Sequence, residues 1–278
     1  MTAEPLIQLD ELSVGFPTPD TGWRNAVDGV TLAIGAGERV GLVGESGSGK
    51  SLTALACLGL VPAPGRVTGG SVHVAGADIS KMSGADHDRL RGGEMGIFLQ
   101  EAVEALNPVY TVGFQVMESV AVHQSLGRRE ALRVAVSLLA EAAVEAPEEI
   151  ARADPHELSG GQAQRVMFAL ALAGRPRILI ADEPTSALDL LTQAQVIELL
   201  DRLVEEGGMG LLLISHDLVV VKSIVDRVAV MNQGRIVEEG PIEAVFSSPR
   251  HPYTRMLLAS APGRRSDFSD REDNHVDC

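Results

Sequence analysis

Four short apolar runs stand out along the chain, at residues 40–43, 178–181, 211–214 and 227–231, each bounded by glycine, proline or charge. Most are continuously apolar rather than alternating, the pattern of strands buried on both faces of a sheet. Between them, residues 51–60, 162–173 and 192–205 carry helical patterning. Strand alternating with helix predicts a mainly parallel α/β sheet. Nearer the start, the segments 6–9, 30–34 and 71–74 are joined by Gly and Pro turns and predict antiparallel strands. The stretch from about residue 80 to 155 differs. It holds helix-rich segments such as 128–145, dominated by Ala, Leu and Glu with few strand signals, and predicts a helical insertion within the α/β core. Residues 263–278 are polar and acidic and predict a mobile tail.

Composition narrows the function classes. The chain has 278 residues, enough to bury a full core, with 45% hydrophobic and 22% charged residues. A net charge of −15 argues against a surface built to coat nucleic acid or anionic lipid, because both reward clustered Lys and Arg. The two cysteines, Cys57 and Cys278, allow no disulfide framework and no cysteine zinc site. The first twelve residues contain acids and no Lys or Arg, unlike a secretory signal, and no apolar run approaches the ~18 residues a membrane span needs. A soluble, cytoplasmic chain is the expectation. Lysine is scarce, with only Lys50, Lys81 and Lys222 among 23 basic residues. Where it persists, a compact point charge can be the requirement rather than a planar fork.

Lys50 is such a place. Gly44-Glu45-Ser46-Gly47-Ser48-Gly49-Lys50-Ser51 has the phosphate-loop (Walker A) spacing and sits between a predicted strand and a predicted helix. Glycines let backbone N–H groups converge on phosphate oxygens, and the helix start adds favourable partial charge. In such a loop Lys50 bridges the β and γ phosphates and the Ser51 hydroxyl ligates Mg²⁺. The run 178–181 ends in Asp182-Glu183, placing a magnesium-holding carboxylate and a water-polarising one at a strand end. Another apolar run, 211–214, leads to His216, and ligands of open α/β sheets bind at the carboxyl ends of strands, so His216 is read as a γ-phosphate contact. Between these motifs lies Leu158-Ser159-Gly160-Gly161-Gln162, a second Ser-Gly-Gly element far from the first, which suggests an ATP site assembled from two molecules. Gln100 follows the apolar segment 95–99, and Phe16 lies in the N-terminal β region as either a base platform or a core residue.

Taken together, these motifs resemble the nucleotide-binding subunits of ATP-binding cassette (ABC) transporters. The order matches: phosphate loop, Gln100, Leu158–Gln162, Asp182-Glu183, Ser186-Ala187-Leu188-Asp189, His216. The resemblance implies an ABC-type P-loop NTPase fold spanning residues 5–262, with a RecA-like core, an N-terminal antiparallel β region and a helical subdomain inserted at about 80–157. It implies ATP and Mg²⁺ as ligands, the metal held by Ser51, Gln100 and Asp182, with Glu183 and His216 catalytic and Phe16 the adenine platform. Ser159, Gly160, Gly161, Gln162 and Asp189 would serve the nucleotide on the opposite subunit.

A narrower resemblance, to the oligopeptide, dipeptide and nickel importer subfamily, rests on Leu106-Asn107-Pro108-Val109-Tyr110, Pro155-His156-Glu157-Leu158, Gln193-Ala194-Gln195-Val196 and His251-Pro252-Tyr253-Thr254-Arg255. The chain departs from that pattern at Leu99 and Ala102, neither of which removes a catalytic group, and at Asp154, where an aromatic often stands. It implies a peripheral ATPase on the cytoplasmic face of the membrane, bound to two permease subunits and to a second ATPase that is often a different chain. An extracellular solute-binding protein would act indirectly, and no nucleic acid is involved. A cassette ATPase of DNA repair or translation is the alternative. Such proteins usually carry coiled coils, zinc cysteines or two cassettes, and this chain has none of these.

Overall fold

A computed structural model describes residues 4–19, 22–98, 105–185 and 190–260. Two sheets organise them. The first is antiparallel, ordered β2-β1-β4-β5, from β1 (Ile7–Thr18), β2 (Gly22–Ile34), β4 (Arg66–Val74) and β5 (Ala77–Asp78). The second is ordered β10-β9-β3-β8-β7-β6, from β3 (Arg39–Val43), β6 (Met95–Phe98), β7 (Ile178–Asp182), β8 (Gly210–Ser215), β9 (Arg227–Asn232) and β10 (Arg235–Pro241). All its pairings are parallel except the edge hairpin β9–β10. The described helices are α1 (Lys50–Cys57), α2 (Gly84–Arg89), α3 (Val112–Gln124), α4 (Arg128–Glu141), α5 (Pro147–Ile150), α6 (Gly160–Leu172), α7 (Leu190–Gly207), α8 (Leu218–Ile224), α9 (Ile242–Ser247) and α10 (Pro252–Ser260).

The continuous apolar runs have their explanation in the core. Along β8, Leu211 and Leu213 enter one hydrophobic cluster while Leu212 and Ile214 enter the other, and β7 divides likewise. Successive side chains alternate faces, so a strand covered on both sides must be apolar throughout. One cluster lies with the antiparallel sheet and α1; the other joins the sheet to α3, α4 and α6.

One element corrects the expected layout. The strand β6 falls inside the interval 80–157 expected to be helical, yet it pairs in parallel with β7 from Met95↔Ile178 to Phe98↔Ala181. Phe98 also stacks on Phe168 of α6, with ring centroids 4.3 Å apart. Beyond it, helices α3, α4 and α5 follow before residue 157. The N-terminal strands are far longer than their apolar segments, because β1 continues through irregularities at Leu9/Leu12 and Val14 that break its alternation. Among the described residues no helix is long and apolar enough to cross a membrane.

Candidate functional site

The phosphate-loop segment leaves the carboxyl end of β3 and enters α1, as its spacing requires. Two glycines are demanded by geometry. Gly44 has φ 153°, and a Cβ there would lie 2.1 Å from the Met231 carbonyl oxygen. Gly49 has φ 108°, and its Cβ would meet the Ala26 carbonyl oxygen at 2.7 Å. Side chains are excluded at both, so the loop can wrap tightly.

The loop walls a cleft of about 730 Å³ whose lining includes Gly44, Glu45, Ser46, Gly47, Gly49, Lys50, Ser51, Glu183 and His216. Nine residues singled out in the sequence thus share one concavity. Lys50 is buried and donates from Nζ to the carbonyl oxygens of Gly44 (2.8 Å) and Glu45 (2.9 Å). Burial pulls its ammonium below the ordinary lysine range, while the carboxylates of Glu183 and Asp182 work to keep it charged. Ser48 is buried behind the loop, and its carbonyl accepts from the Gly234 N–H at 2.9 Å.

Opposite the loop, β7 ends in the two acids. Burial pushes the Asp182 carboxyl above the usual carboxylate range; a hydrogen bond with the Ser51 hydroxyl and the charge of Lys50 oppose that push, and the charge of Glu183 adds to it. Asp182 Oδ1 is buried without a hydrogen-bond partner. Glu183 stands at φ 50°, a left-handed conformation uncommon for a residue with a side chain, its N–H bonded to the Ile214 carbonyl at 2.9 Å. Its Oε1 accepts from the His216 backbone N–H (3.0 Å) and lies 2.8 Å from His216 Nδ1. Ser215, at the end of β8, bonds the other carboxylate oxygen at 3.5 Å and accepts from Asp217 N–H at 3.0 Å.

Ser159, Gly160, Gly161 and Gln162 are not brought into this cleft. They start α6, where Ser159 Oγ accepts from Gln162 N–H (3.3 Å) and Gln162 Oε1 accepts from Ser159 N–H (2.9 Å), a reciprocal capping box. Among the described residues, a Cβ on Gly160 would meet nothing within 4 Å. Phe16 lies outside the lining, its ring against Gly65. It pairs with Arg24 of β2, two residues before Ala26, which does line the cleft. Gln100 and Asp189 lie outside the described residues. Tyr253, Leu257, Ala26 and Ser215 were not singled out by the sequence as site residues. Tyr253 and Leu257 sit one turn apart on α10, a helical spacing that puts both on one face.

A basic side chain, a glycine loop at a helix start and paired carboxylates at the end of a strand in the same sheet define a phosphate-binding NTPase cleft. The chain belongs to the ABC transporter family, whose model matches residues 27–186. The model described as the oligopeptide/dipeptide transporter C-terminal region matches residues 237–273. Over 259 residues the chain is 45% identical to the dipeptide transport ATP-binding protein DppD of Escherichia coli (strain K12), covering 92% of this chain and 78% of that one. It is 44% identical over 268 residues to the peptidoglycan transport ATP-binding protein YejF of Agrobacterium fabrum, covering 96% of this chain and 49% of the longer relative. Among solved structures, the ATP-binding cassette MJ0796, in a dimeric post-hydrolysis state bound to ADP and Pi, superposes with a TM-score of 0.75 at 29% identity, covering 85% of this chain and 98% of that chain. As a member of this family the chain is an ATPase.

Proposed function

We propose that this chain is the ATP-hydrolysing subunit of a peptide importer, one of two ATPases that drive two membrane-embedded permease subunits from the cytoplasmic face. The convergence of the phosphate loop, Lys50, Ser51 and the Glu183–His216 pair in one cleft, with Asp182 bonded to Ser51, is the observation that carries it. The match at 237–273 and the printed activity of the dipeptide relative support peptides as cargo. The second ATPase is a different chain of the same build.

The geometry of the cleft supports these roles for the residues within it. Lys50 holds the β and γ phosphates, exchanging its bonds to the Gly44 and Glu45 carbonyls for phosphate oxygens. Ser51 and Asp182, with Gln100, would hold Mg²⁺; a hydroxyl and a carboxylate are hard oxygen donors, and the unpartnered Asp182 Oδ1 fits a cation. Bound there, the metal would neutralise charge on the phosphates. Glu183 takes the proton of the attacking water while His216 contacts the γ-phosphate and holds the Glu183 carboxylate in place. Phe16 stacks the adenine beyond the Ala26 wall. Ser159–Gln162 and Asp189 act on the nucleotide of the opposite subunit.

On the helical insertion, exposed Val109 and Tyr110 adjoin a hollow of about 520 Å³ lined by residues including Phe114, Met117, Arg128, Arg129 and Leu132. Tyr110 stacks on Phe114 at 4.8 Å, a rigid apolar seat that suits a permease loop. Residues 5–262 form the nucleotide-binding domain; the tail expected at 263–278 lies outside the described residues.

The test is nucleotide titration of the purified full chain beside affinity purification from membranes. Lys50→Ala should reduce ATP affinity at least tenfold, and the wild-type chain should bring integral membrane proteins with it. Undiminished affinity in the variant, or recovery of DNA or ribosomes in place of membrane proteins, overturns the assignment.

A further inference from the structure

Helix α10 touches the phosphate loop across 208 residues of sequence through a hydrogen bond. The Glu45 N–H donates to the Tyr253 hydroxyl at 3.0 Å. Tyr253 is itself 8% exposed and fixed at its own end. Glu238 accepts from the N–H groups of Arg250 (2.8 Å) and His251 (2.9 Å), and His251 Nδ1 accepts from the Tyr253 N–H at 3.2 Å. One turn on, Leu257 lines the cleft.

The bonded peptide unit gives this contact its consequence. Glu45 N–H and the Gly44 carbonyl belong to the same rigid plane. That carbonyl accepts from Lys50 Nζ at 2.8 Å, and the next one, of Glu45, accepts from Lys50 at 2.9 Å and from Ser48 N–H at 3.2 Å. Gly44 lacks a Cβ, so its own conformation resists rotation of that plane weakly. The Tyr253 hydroxyl therefore pins one end of a plane whose other end orients the lysine. We infer that Tyr253 is a positioning residue for the phosphate loop, setting the cleft's nucleotide affinity from helix α10 without touching the nucleotide. The inference rests on the reading of the cleft as an ATP site.

Tyr253→Phe removes the hydroxyl and keeps the ring. In the purified full chain, affinity for a fluorescent ATP analogue should fall about three- to tenfold, the range one neutral hydrogen bond spans, with Tm lowered by no more than about 4 °C. Amide hydrogen exchange of residues 44–51 should quicken in the nucleotide-free protein. In the assembled transporter KM for ATP should rise by the same factor and kcat stay within twofold, because Glu183 and His216 are untouched. On a Glu45→Pro background, which has no N–H to hold, Tyr253→Phe should add no further loss. Wild-type affinity and exchange in Tyr253→Phe, or an undiminished further loss on the proline background, overturns the role of Tyr253. Failure of the wild-type chain to bind the analogue is a different result, and sinks the ATP site itself.

Discussion

Asp182 is where stability and chemistry conflict most directly. Its carboxylate is buried, one oxygen lacks a partner, and its pKa is raised chiefly by burial. A folded-state pKa above the unfolded one means that the ionised form disfavours the fold at neutral pH. As pH falls through the raised value, the folded chain takes up the proton first and stability recovers. Asp182→Asn should therefore raise the Tm of the metal-free protein at neutral pH by about 2–4 °C, the shift expected from ~1 kcal/mol in a domain of this size. The gain should shrink as pH is lowered through the Asp182 pKa, while hydrolysis at neutral pH is lost. Calorimetry across pH without Mg²⁺, paired with phosphate release, checks both; a variant less stable than wild type at neutral pH would contradict the electrostatic account. Lys50 bears the opposite stress, since burial disfavours its charge and the neighbouring acids restore it. The cleft thus holds charges that the fold tolerates for the sake of a ligand that neutralises them.

At the scale of elements, the start of α6 separates what the fold needs from what the partner needs. The Ser159–Gln162 capping box satisfies end groups of the helix and belongs to folding. Gly160 does not: none of the described residues crowds a Cβ there, and glycine in a helix costs about 0.5–1 kcal/mol relative to alanine. If Gly160 serves the partner's nucleotide as proposed, Gly160→Ala should leave Tm unchanged or higher and reduce turnover of the assembled transporter several-fold, because the methyl would then meet that nucleotide. Turnover at the wild-type rate would remove Gly160 from any contact beyond its own chain. Elements and site differed in how far the sequence exposed them. The strands β3, β7, β8 and β9 were legible because burial on both faces makes them continuously apolar; Asp182 and Glu183 stood out only beside the phosphate loop, since acids closing a buried strand more often belong to a solvated turn. The four residues of β6 were hidden in helical surroundings, since their strand character comes from pairing with Ile178–Ala181. The edge strand β10, Arg235–Pro241, contains two glutamates and no sustained apolar run, its register set by the hairpin with β9. Tyr253 was visible as part of a motif but not as a neighbour of Glu45, because only the folded chain brings them together.

At the scale of the whole molecule, the cleft and the Leu158–Gln162 element are separate features of one chain. The cleft gathers the phosphate loop, Glu183 and His216, while Leu158–Gln162 contributes nothing to its lining and Ser159 and Gly160 are exposed. If the second surface serves another subunit's nucleotide, binding and closure are separable within one chain. Glu183→Gln should bind ATP, fail to hydrolyse it and accumulate in a closed pair with the second ATPase, since the contacts that favour closure persist until the γ-phosphate is cleaved. Adding Ser159→Asp keeps a side-chain acceptor at the α6 N-cap and places a negative charge near the helix start, so folding stability should be maintained. The same carboxylate would face the partner's γ-phosphate and repel it. The double variant should therefore bind ATP in its own cleft with the affinity of Glu183→Gln alone, yet form no closed pair by sedimentation at saturating ATP. Weaker binding by the isolated double variant would mean that Ser159 serves its own cleft, and closure at full extent would mean that it serves neither. Only unchanged affinity together with lost closure makes this chain half of a shared machine, with its energy drawn from contacts that exist when two subunits meet around ATP.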